Sequence, residues 1–357
     1  MKPVQWGEAA PWFTAEVAKG GRYELSNMAG RFVVLVFLGD ARSKAASAFI
    51  AALKENYPNV HLGQVLIFGL TSDRHGLKSK ANLESFRGAR LFFDENNEIA
   101  RLYGATVHPT DGEKKPGWFI LDPTLRVWES GDLNDYQSFF KSVNALPSPS
   151  SHSSLMDEAW APVLVVPRVL PPKECEQLID YYRAAPQRSS GFMITEDGMT
   201  REAHNTKVKS RTDVKIEARE MQDVLRRAIN TRLVPQVKRA FQFDATRIER
   251  YIVACYRAEE QGQFRPHRDN TTAATAHRSF AVTINLNSEE YEGGELRFPE
   301  FGNRTYTAPT GGAIVFSCSL LHEAMPVTKG ERFATVPFLY DEEGAKLRAE
   351  NQKYLAE

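Results

Sequence analysis

Cysteine is scarce in this chain: only three occur in 357 residues, Cys175, Cys255 and Cys318. They are widely separated and form neither a CxxC pair nor a pattern with the spacing of zinc ligands. The sequence therefore excludes a disulfide framework and a zinc site built on paired cysteines. Scattered cysteines of this kind are typical of reduced thiols in a cytosolic protein, so a cytoplasmic location is expected.

Long apolar runs and a surplus of charge of one sign are also absent. No segment approaches the ~20 apolar residues that span a bilayer, and the opening residues, MKPVQWGEAAPWF, lack the apolar core of a signal peptide. Lys and Arg number 45, as do Asp and Glu, so the formal net charge is zero. We therefore expect neither a membrane nor nucleic acid as a general partner, although a local basic patch stays open.

What remains is the composition of a globular protein with two domains. Apolar residues make up 42% and charged residues 25% of a chain that is too long for one ordinary core. Proline and serine replace the periodic apolar residues in ALPSPSSHSS, from 145 to 154, which is typical of a linker. We predict a first domain over residues 1–144, a linker over 145–159 and a second domain over 160–357.

Strand and helix patterns alternate in the first domain. Phe32–Leu38 and Val65–Leu70 are continuous apolar runs, as expected of strands that are buried on both faces of a sheet. Ala45–Leu53 lies between them and has helical spacing, and Trp118–Leu121 is a third apolar run. This βαβ order predicts an α/β fold with a central sheet.

The second domain begins with helix patterns and continues with short strands. One helix is predicted from about Pro172, and another over Ala218–Phe241, where Pro235 would kink or divide it. After Thr246, short apolar segments follow one another and are separated by glycine pairs. Many short strands with such turns predict a mainly-β double-sheet fold, a jelly roll with supporting helices packed outside.

The segment FRPHRDN contains two candidate metal ligands, His267 and Asp269. Alternate residues of a strand share a face, so both side chains can approach one ion. A second histidine, His322, follows the apolar segment GGAIVFS. Two imidazoles and one carboxylate suit Fe(II) and leave three positions open for a chelating 2-oxo acid and O2. These three residues are therefore the candidate metal ligands and the candidate catalytic centre.

Two further residues are candidate contacts of such a 2-oxo acid. Arg332 lies ten residues after His322, and its guanidinium can bind a distal carboxylate through two hydrogen bonds. Tyr256 lies upstream of the ligands, where its hydroxyl could bind the same molecule. The glycine-containing segment GGELRFPEFG lies between the two parts of the ligand set.

The stretch from Tyr256 to Phe338 resembles the catalytic core of the prolyl 4-hydroxylase-like branch of the Fe(II)/2-oxoglutarate dioxygenases. The pattern Y…G.F..H.D…GGEL.F…G.A..F…H…V..G.R is present in order. The resemblance implies a double-stranded β-helix that holds iron with the three ligands above and 2-oxoglutarate with Arg332. Asn285 stands where some prolyl hydroxylases carry a tyrosine that helps to bind the cosubstrate carboxylate, so it is a further candidate contact.

The same resemblance implies a hydroxylase that uses Fe(II), 2-oxoglutarate and O2 and releases succinate and CO2. The substrate is expected to be a peptidyl or free amino acid or another small metabolite, and ascorbate stays open as an additional reductant. Two alternatives remain. One is a non-catalytic partner-binding protein whose domains are scaffolds. The other is a cupin-like metal protein of another reaction class, which would not need Arg332.

Residues 7–130 resemble the peroxiredoxin/thioredoxin-like fold. GEAAPWF matches its opening segment, MAGRFVVLVFLG its first central strand and KPGWFILDPTLRV its late hairpin. Redoxins act through a thiolate after the first central strand. Here that segment reads FLGDARSKAASAF, and no cysteine precedes Cys175. We interpret the domain as a degenerate redoxin used for docking, substrate presentation or a homodimer, or as a scaffold for the oxygenase domain.

Two features near the candidate ligands have more ordinary interpretations. His277 is expected to be a loop or surface histidine rather than a fourth ligand. The segment KVKSR, from Lys207 to Arg211, is expected to be a solvated charge run, with the lining of a substrate groove as the alternative.

Overall fold

The computed structural model describes residues 2–17, 21–40, 43–56, 65–73, 89–105, 116–146 and 160–356. The chain divides into an N-terminal unit, Met1–Ala159 with Pro299–Gly302, and a C-terminal unit, Trp160–Phe298 with Asn303–Glu357. Most of the linker predicted over 145–159 lies outside the described residues, so the predicted boundaries stay a prediction. Within these ranges, none of the helices combines the length and the apolar character that a bilayer requires.

The N-terminal unit alternates strands and helices. Its described strands are β1 Thr14–Glu16, β2 Arg22–Glu24, β3 Phe32–Gly39, β4 Val65–Thr71, β5 Ala89–Phe93, β6 Trp118–Leu121 and β7 Val127–Gly131. Its described α-helices are α1 Lys44–Asn56, α2 Glu98–Tyr103 and α3 Tyr136–Asn144.

A mixed sheet in the order β5-β4-β3-β6-β7 forms the centre of this unit. β3 runs parallel to β4 and antiparallel to β6, and all its residues are buried, as its uninterrupted apolar sequence predicts. Val34 packs in one cluster with Phe49 of α1 and Phe139 of α3, whose rings lie 4.9 Å apart. The predicted α/β thioredoxin-like fold is confirmed.

The helix that follows β3 begins with a serine cap. Ser43 Oγ accepts a hydrogen bond from the backbone N of Ala46 at 3.2 Å, which satisfies one of the free N–H groups of the first turn of α1. Residues 41 and 42 of the same segment lie outside the described ranges. A serine hydroxyl engaged in this way stabilises the start of the helix.

The C-terminal unit consists mainly of short strands. Its described strands are β8 Leu164–Val166, β9 Arg188–Ser189, β10 Phe192–Glu196, β11 Met199–Ala203, β12 Lys209–Ser210, β13 Thr212–Lys215, β14 Arg247–Glu249, β15 Ile252–Arg257, β16 Gln263–His267, β17 Phe280–Asn285, β18 Glu292–Gly293, β19 Leu296–Arg297, β20 Thr305–Tyr306, β21 Ala313–Ser317, β22 His322–Ala324, β23 Val327–Lys329, β24 Glu331–Thr335 and β25 Phe338–Tyr340. Its described α-helices are α4 Pro172–Ala184, α5 Arg219–Ala228, α6 Val234–Phe241 and α7 Glu342–Asn351.

Two principal sheets organise these strands. The larger sheet has the order β14-β25-β17-β24-β15-β13-β9, with β21 paired to β17 and β8 to β21. The smaller sheet has the order β12-β16-β22-β19-β20. α4 buries an apolar face against the larger sheet, where the rings of Tyr182 and Phe333 meet edge to face at 5.2 Å. This arrangement is the predicted jelly roll, a double-stranded β-helix with supporting helices.

The helical region after β13 is interrupted. α5 passes into a π-helical turn at Ile229–Leu233, and α6 begins directly after it at Val234. Pro235 lies in the first turn of α6, where its missing N–H removes no helical hydrogen bond. Pro235 therefore starts a new helix, and the predicted region is divided at this point.

Candidate active site

The two candidate histidine ligands meet because their strands are paired. β16 ends at His267, β22 begins at His322, and the two residues are direct partners in the antiparallel register. Side chains of such partners lie on the same face of a sheet. The imidazole ring centroids are 4.2 Å apart. The smaller sheet thus brings together two histidines that are remote in the sequence.

Asp269 completes the group from a loop rather than from the strand. It lies beyond the end of β16, so the expectation that His267 and Asp269 alternate along one strand was wrong. The backbone N of Asp269 donates to Cys318 O at 3.0 Å and holds the loop beside β22. Its carboxylate oxygens lie 3.7 Å from His267 Nε2 and 3.3 Å from His322 Nε2.

The hydrogen bonds of the two imidazoles determine which ring nitrogen of each is free to bind a metal. His267 Nδ1 lies 2.8 Å from Arg265 O, and His322 Nδ1 lies 3.0 Å from Leu320 O. A carbonyl oxygen only accepts, so each Nδ1 carries the hydrogen and each Nε2 keeps its lone pair. The ligand atoms of His267, Asp269 and His322 all lie within 4.8 Å of one another.

The protonation states of the group also favour metal binding. Burial and the neighbouring His322 lower the pKa of His267 well below its usual value, so the imidazole is neutral. Burial alone would raise the pKa of Asp269, but the two histidines and Arg278 outweigh it and lower that pKa. Two imidazole nitrogens and one carboxylate on one side of an ion are the donors that Fe(II) takes in oxygenases. The residues present therefore fit such an ion.

Aromatic rings fix the orientation of the imidazoles. A bulge in β16 between Phe264 and His267 shifts the register, and the two rings stack with centroids 3.4 Å apart and planes 22° apart. Phe316 of β21 contacts His322 at a centroid distance of 4.5 Å. These contacts restrict ring rotation and shield the ligands from water.

The candidate cosubstrate contacts form a second cluster on the larger sheet. Arg332 of β24 and Tyr256 of β15 are direct register partners, and the guanidinium carbon lies 5.1 Å from the centre of the tyrosine ring. Arg332 Nη2 donates to Asn285 Oδ1 at 3.3 Å, and Asn285 Nδ2 donates to Ala308 O at 2.9 Å. The structure thus brings Arg332, Tyr256 and Asn285 together, with Asn285 orienting the guanidinium.

The surroundings of Arg332 leave its guanidinium short of partners. The residue is 3% exposed, and its Nε has no hydrogen-bond partner among the described residues. Gly294, with φ +72°, lies so close that a Cβ would stand 2.8 Å from Arg332 Cδ. A buried guanidinium with an unused N–H is suited to a carboxylate, since leaving such a group unpaired costs free energy. This observation fits the distal carboxylate of 2-oxoglutarate.

A buried ion-pair cluster behind the ligand loop was missed by the sequence analysis. His277 lies in a loop and outside the ligand group, as expected, but it is 4% exposed and so is not a surface histidine. Its Nε2 lies 2.6 Å from Glu249 Oε2, and Arg278 Nη2 donates to Glu249 Oε1 at 2.6 Å. Arg278 Nη1 donates to the backbone O of Asp269 at 3.3 Å. Glu249 therefore positions an arginine that holds the ligand loop.

Replacing Glu249 with glutamine is expected to destabilise the C-terminal unit in a pH-dependent way. Burial would raise the pKa of Glu249, but hydrogen bonds from His277 and Arg278 outweigh it and hold the pKa far below its usual range. A depressed carboxylate pKa contributes its full stabilisation above the unfolded value of about 4.3, and this contribution is lost as the pH falls from there through the folded-state pKa. Breaking such a buried pair costs about 3 kcal/mol at pH 7.

Urea unfolding at pH 7 and at about pH 2 measures this effect. We expect the difference between wild type and Glu249→Gln to be large at pH 7 and to shrink only as the pH falls from about 4.3 toward the much lower folded-state pKa of Glu249. Glu342→Gln is the matched control, because Glu342 forms an exposed pair with Arg247. Equal unfolding midpoints for Glu249→Gln and wild type at pH 7 would contradict this role.

The expected charge run from Lys207 to Arg211 is only partly solvated. Lys209 and Arg211 are each 6% exposed, so for these two residues the solvated interpretation was wrong. Arg211 Nη2 pairs with Asp213 Oδ2 at 2.7 Å, and Arg211 Nη1 donates to Tyr256 Oη at 3.3 Å. Burial, with a smaller effect from Arg211, lowers the pKa of Lys209 well below its usual value. The segment thus brings two basic side chains into the interior of the unit.

Comparison with known proteins identifies both parts of the chain. Residues 251–340 match the 2OG-Fe(II) oxygenase superfamily, and residues 6–129 match the AhpC/TSA family. The multifunctional procollagen lysine hydroxylase and glycosyltransferase LH3 of Rattus norvegicus is 24% identical over 257 residues, which are 71% of this chain and 32% of that protein. A PKHD-type hydroxylase of Synechococcus is 30% identical over 98 residues, 26% of this chain and 43% of that protein.

A solved structure is similar as well. The prolyl hydroxylase of Trichoplax adhaerens, in complex with a hypoxia inducible factor peptide fragment, has a TM-score of 0.42 and 19% identity and covers 53% of this chain and 86% of that chain. This chain spans about a third of the length of the lysine hydroxylase above. The oxygenase superfamily implies Fe(II), 2-oxoglutarate and O2 as metal, cosubstrate and oxidant, and the His-Asp-His group agrees with that set.

Proposed function

Because residues 251–340 form a domain of the 2OG-Fe(II) oxygenase superfamily and residues 6–129 a domain of the AhpC/TSA family, we propose that this protein is a 2-oxoglutarate-dependent hydroxylase. It would oxidise an unactivated C–H bond of a peptidyl or free amino acid or another small metabolite. The observation that carries the proposal is the meeting of two imidazole Nε2 atoms and one carboxylate, with both Nδ1 atoms engaged by carbonyls.

The proposed hydroxylation would depend on bound Fe(II) and 2-oxoglutarate and on the residues that hold them. Bound Fe(II), with 2-oxoglutarate as reductant, activates O2 for C–H oxidation with release of succinate and CO2. His267, Asp269 and His322 would hold the metal. Arg332 would bind the distal carboxylate of 2-oxoglutarate, with its guanidinium oriented by Asn285 and covered by Tyr256. Burial of these groups keeps water from the reacting atoms and strengthens their electrostatic interactions.

The relatives support hydroxylation without naming the substrate of this chain. One is described as a lysine hydroxylase and another as a PKHD-type hydroxylase. This chain matches only a part of each of these proteins, so their substrates are not assigned to it. Ascorbate as an additional reductant and a cytoplasmic location belong to the same proposal.

The N-terminal unit would act without thiol chemistry. Its family relies on a reactive cysteine, and residues 1–174 of this chain contain none. We therefore assign it to docking, substrate presentation or dimer formation.

Succinate formation by the full-length protein tests the proposal. With Fe(II), 2-oxoglutarate and O2 present, we expect slow succinate release even without a substrate. Omission of any one component should stop it, and so should a metal chelator. Added Fe(II) should restore it and Zn(II) should not, because zinc has no redox chemistry.

The alternative of a non-catalytic partner-binding protein predicts a different result. Such a protein would have no need of metal or 2-oxoglutarate. Anaerobic calorimetric titration of the protein with Fe(II), and then with 2-oxoglutarate, separates the two. Absence of binding of both Fe(II) and 2-oxoglutarate would support the alternative, and Fe(II) binding without 2-oxoglutarate binding would favour a cupin-like protein.

A further inference from the structure

Lys209 is a buried cation without a carboxylate partner. Its Nζ donates to Gly191 O at 2.5 Å, which uses one of its three N–H groups. Among the described residues, no carboxylate lies within ion-pair distance of this ammonium. Burying an ammonium without a counter-charge is costly, and proteins keep such groups where they bind something.

Lys209 shares a face with the candidate ligands. It is the register partner of Phe264 across β12 and β16, and partners in an antiparallel pair project to the same side. Its Nζ lies 4.7 Å from the centre of the Phe264 ring, which in turn stacks on His267. The ammonium is therefore separated from a metal ligand by one aromatic ring.

Two arginines around the centre are already paired with carboxylates. Arg211 pairs with Asp213, and Arg278 pairs with Glu249. One carboxylate of bound 2-oxoglutarate would balance the charge of Arg332. Asp269 and the other carboxylate of 2-oxoglutarate would balance the charge of the metal ion. These assignments leave Lys209 as a buried basic group without an acidic partner among the described residues, and a carboxylate beside it would favour its protonated form.

A second unmatched cation lies near the same centre. Arg250 donates through Nε and Nη2 to Val336 O at 3.2 and 2.8 Å and lies over the Phe338 ring at 4.5 Å. No carboxylate of the described residues pairs with it. The interior thus keeps an excess of positive charge after metal and cosubstrate are counted, which favours an anionic third component.

We propose that the substrate of this site carries a carboxylate that forms an ion pair with Lys209. The inference rests on the proposed function and narrows its substrate class. A neutral substrate would leave the ammonium unmatched. A purely structural role, tying β12 to Gly191, would need a single hydrogen bond and no charge. The carboxylate could be the terminal group of a free acid or an acidic side chain of a peptide, and both would present the same chemistry to Lys209.

Acetate is a suitable probe of a carboxylate site at Lys209. Full-length protein is loaded with Co(II) and 2-oxoglutarate under argon, and the relaxation of ¹³C-acetate by the paramagnetic ion is measured. We expect acetate to bind the wild type. It should bind Lys209→Met about 10- to 100-fold more weakly, because that variant loses one charge-assisted hydrogen bond. Lys209→Arg should retain binding. Lys207→Met is the matched control, because Lys207 is exposed on the same segment.

Competition then identifies the source of the carboxylate. N-acetylglycine offers a terminal carboxylate, and N-acetylaspartyl diamide with a free side chain offers an acidic side chain. The acid that displaces acetate at the lower concentration shows whether the substrate carboxylate is a terminal group or an acidic side chain. N-acetylglycinamide, which has no carboxylate, should displace no acetate. The inference would be overturned if the relaxation of acetate were the same in Lys209→Met as in wild type, or if wild type showed no such relaxation. It would also be overturned if neither acid displaced acetate.

The same samples separate this inference from the proposed function. Calorimetric titration of 2-oxoglutarate into each metal-loaded protein reports the cosubstrate site, which Lys209→Met should leave unchanged. If 2-oxoglutarate does not bind wild type, the proposed function fails. If it binds and acetate is not held by Lys209, only the assignment of an acidic substrate fails.

Discussion

Replacing His267 with alanine should lower Fe(II) affinity by more than about 100-fold, because loss of an outer-shell partner alone already costs about 10- to 100-fold. The change removes one of three protein ligands and leaves His322 and Asp269 as a pair. Succinate formation that depends on 2-oxoglutarate should fall to the background of metal-free protein. Anaerobic calorimetry with Fe(II), together with a succinate assay at saturating metal, measures both effects.

The matched control for this change is His204→Ala. His204 has a largely exposed side chain beside Glu202 and does not belong to the ligand group. The control should bind Fe(II) and turn over 2-oxoglutarate as wild type does. Wild-type turnover in His267→Ala would show that the assignment of the ligands is wrong, whatever its effect on folding.

Replacing Arg332 with methionine should weaken 2-oxoglutarate binding by about 30-fold or more, since truncating one partner of a buried charge pair costs about 2 to 5 kcal/mol. Methionine fills much of the same volume but offers no donors. The 2-oxoglutarate affinity of Arg332→Lys should lie between those of wild type and Arg332→Met, because lysine keeps the charge but lacks the planar guanidinium. Calorimetric titration of 2-oxoglutarate into metal-loaded protein measures the dissociation constants.

This experiment distinguishes anchoring of the cosubstrate from general damage. Metal affinity should be unchanged in Arg332→Met, because the guanidinium touches Asn285 and Tyr256 rather than the ligand group. Arg226→Met is the matched control, since Arg226 lies exposed on α5 and pairs with Asp223. A dissociation constant within threefold of wild type in Arg332→Met would remove Arg332 as the anchor.

Local patterns predicted much of the fold. The apolar run of β3 is buried on both faces, and the face of α4 that carries Cys175, Leu178 and Tyr182 is buried as its spacing predicts. Such predictions succeed because the period of apolar residues reflects which side of an element faces the core. The candidate metal ligands were identified in a similar way, because few side chains suit Fe(II).

The surroundings of the site could not be predicted in this way. Glu249, His277 and Arg278 form one buried cluster, but two strands, β15 and β16, separate Glu249 from the other two residues in the sequence. Nothing local distinguishes a buried charged residue from an exposed one. Only the positions of counter-charges in the folded protein decide whether such a residue can be buried.

The sequence by itself determined which chemistry is available: two histidines and an aspartate for iron, an arginine for a carboxylate, and a redoxin-like domain without a thiol. The tertiary structure alone decided that His267 faces His322 across β16 and β22, and that Asp269 approaches them from a loop. It also decided that Lys209 is buried beside Phe264 rather than solvated. The physical reason is that register and charge compensation depend on contacts between strands that are distant in the sequence.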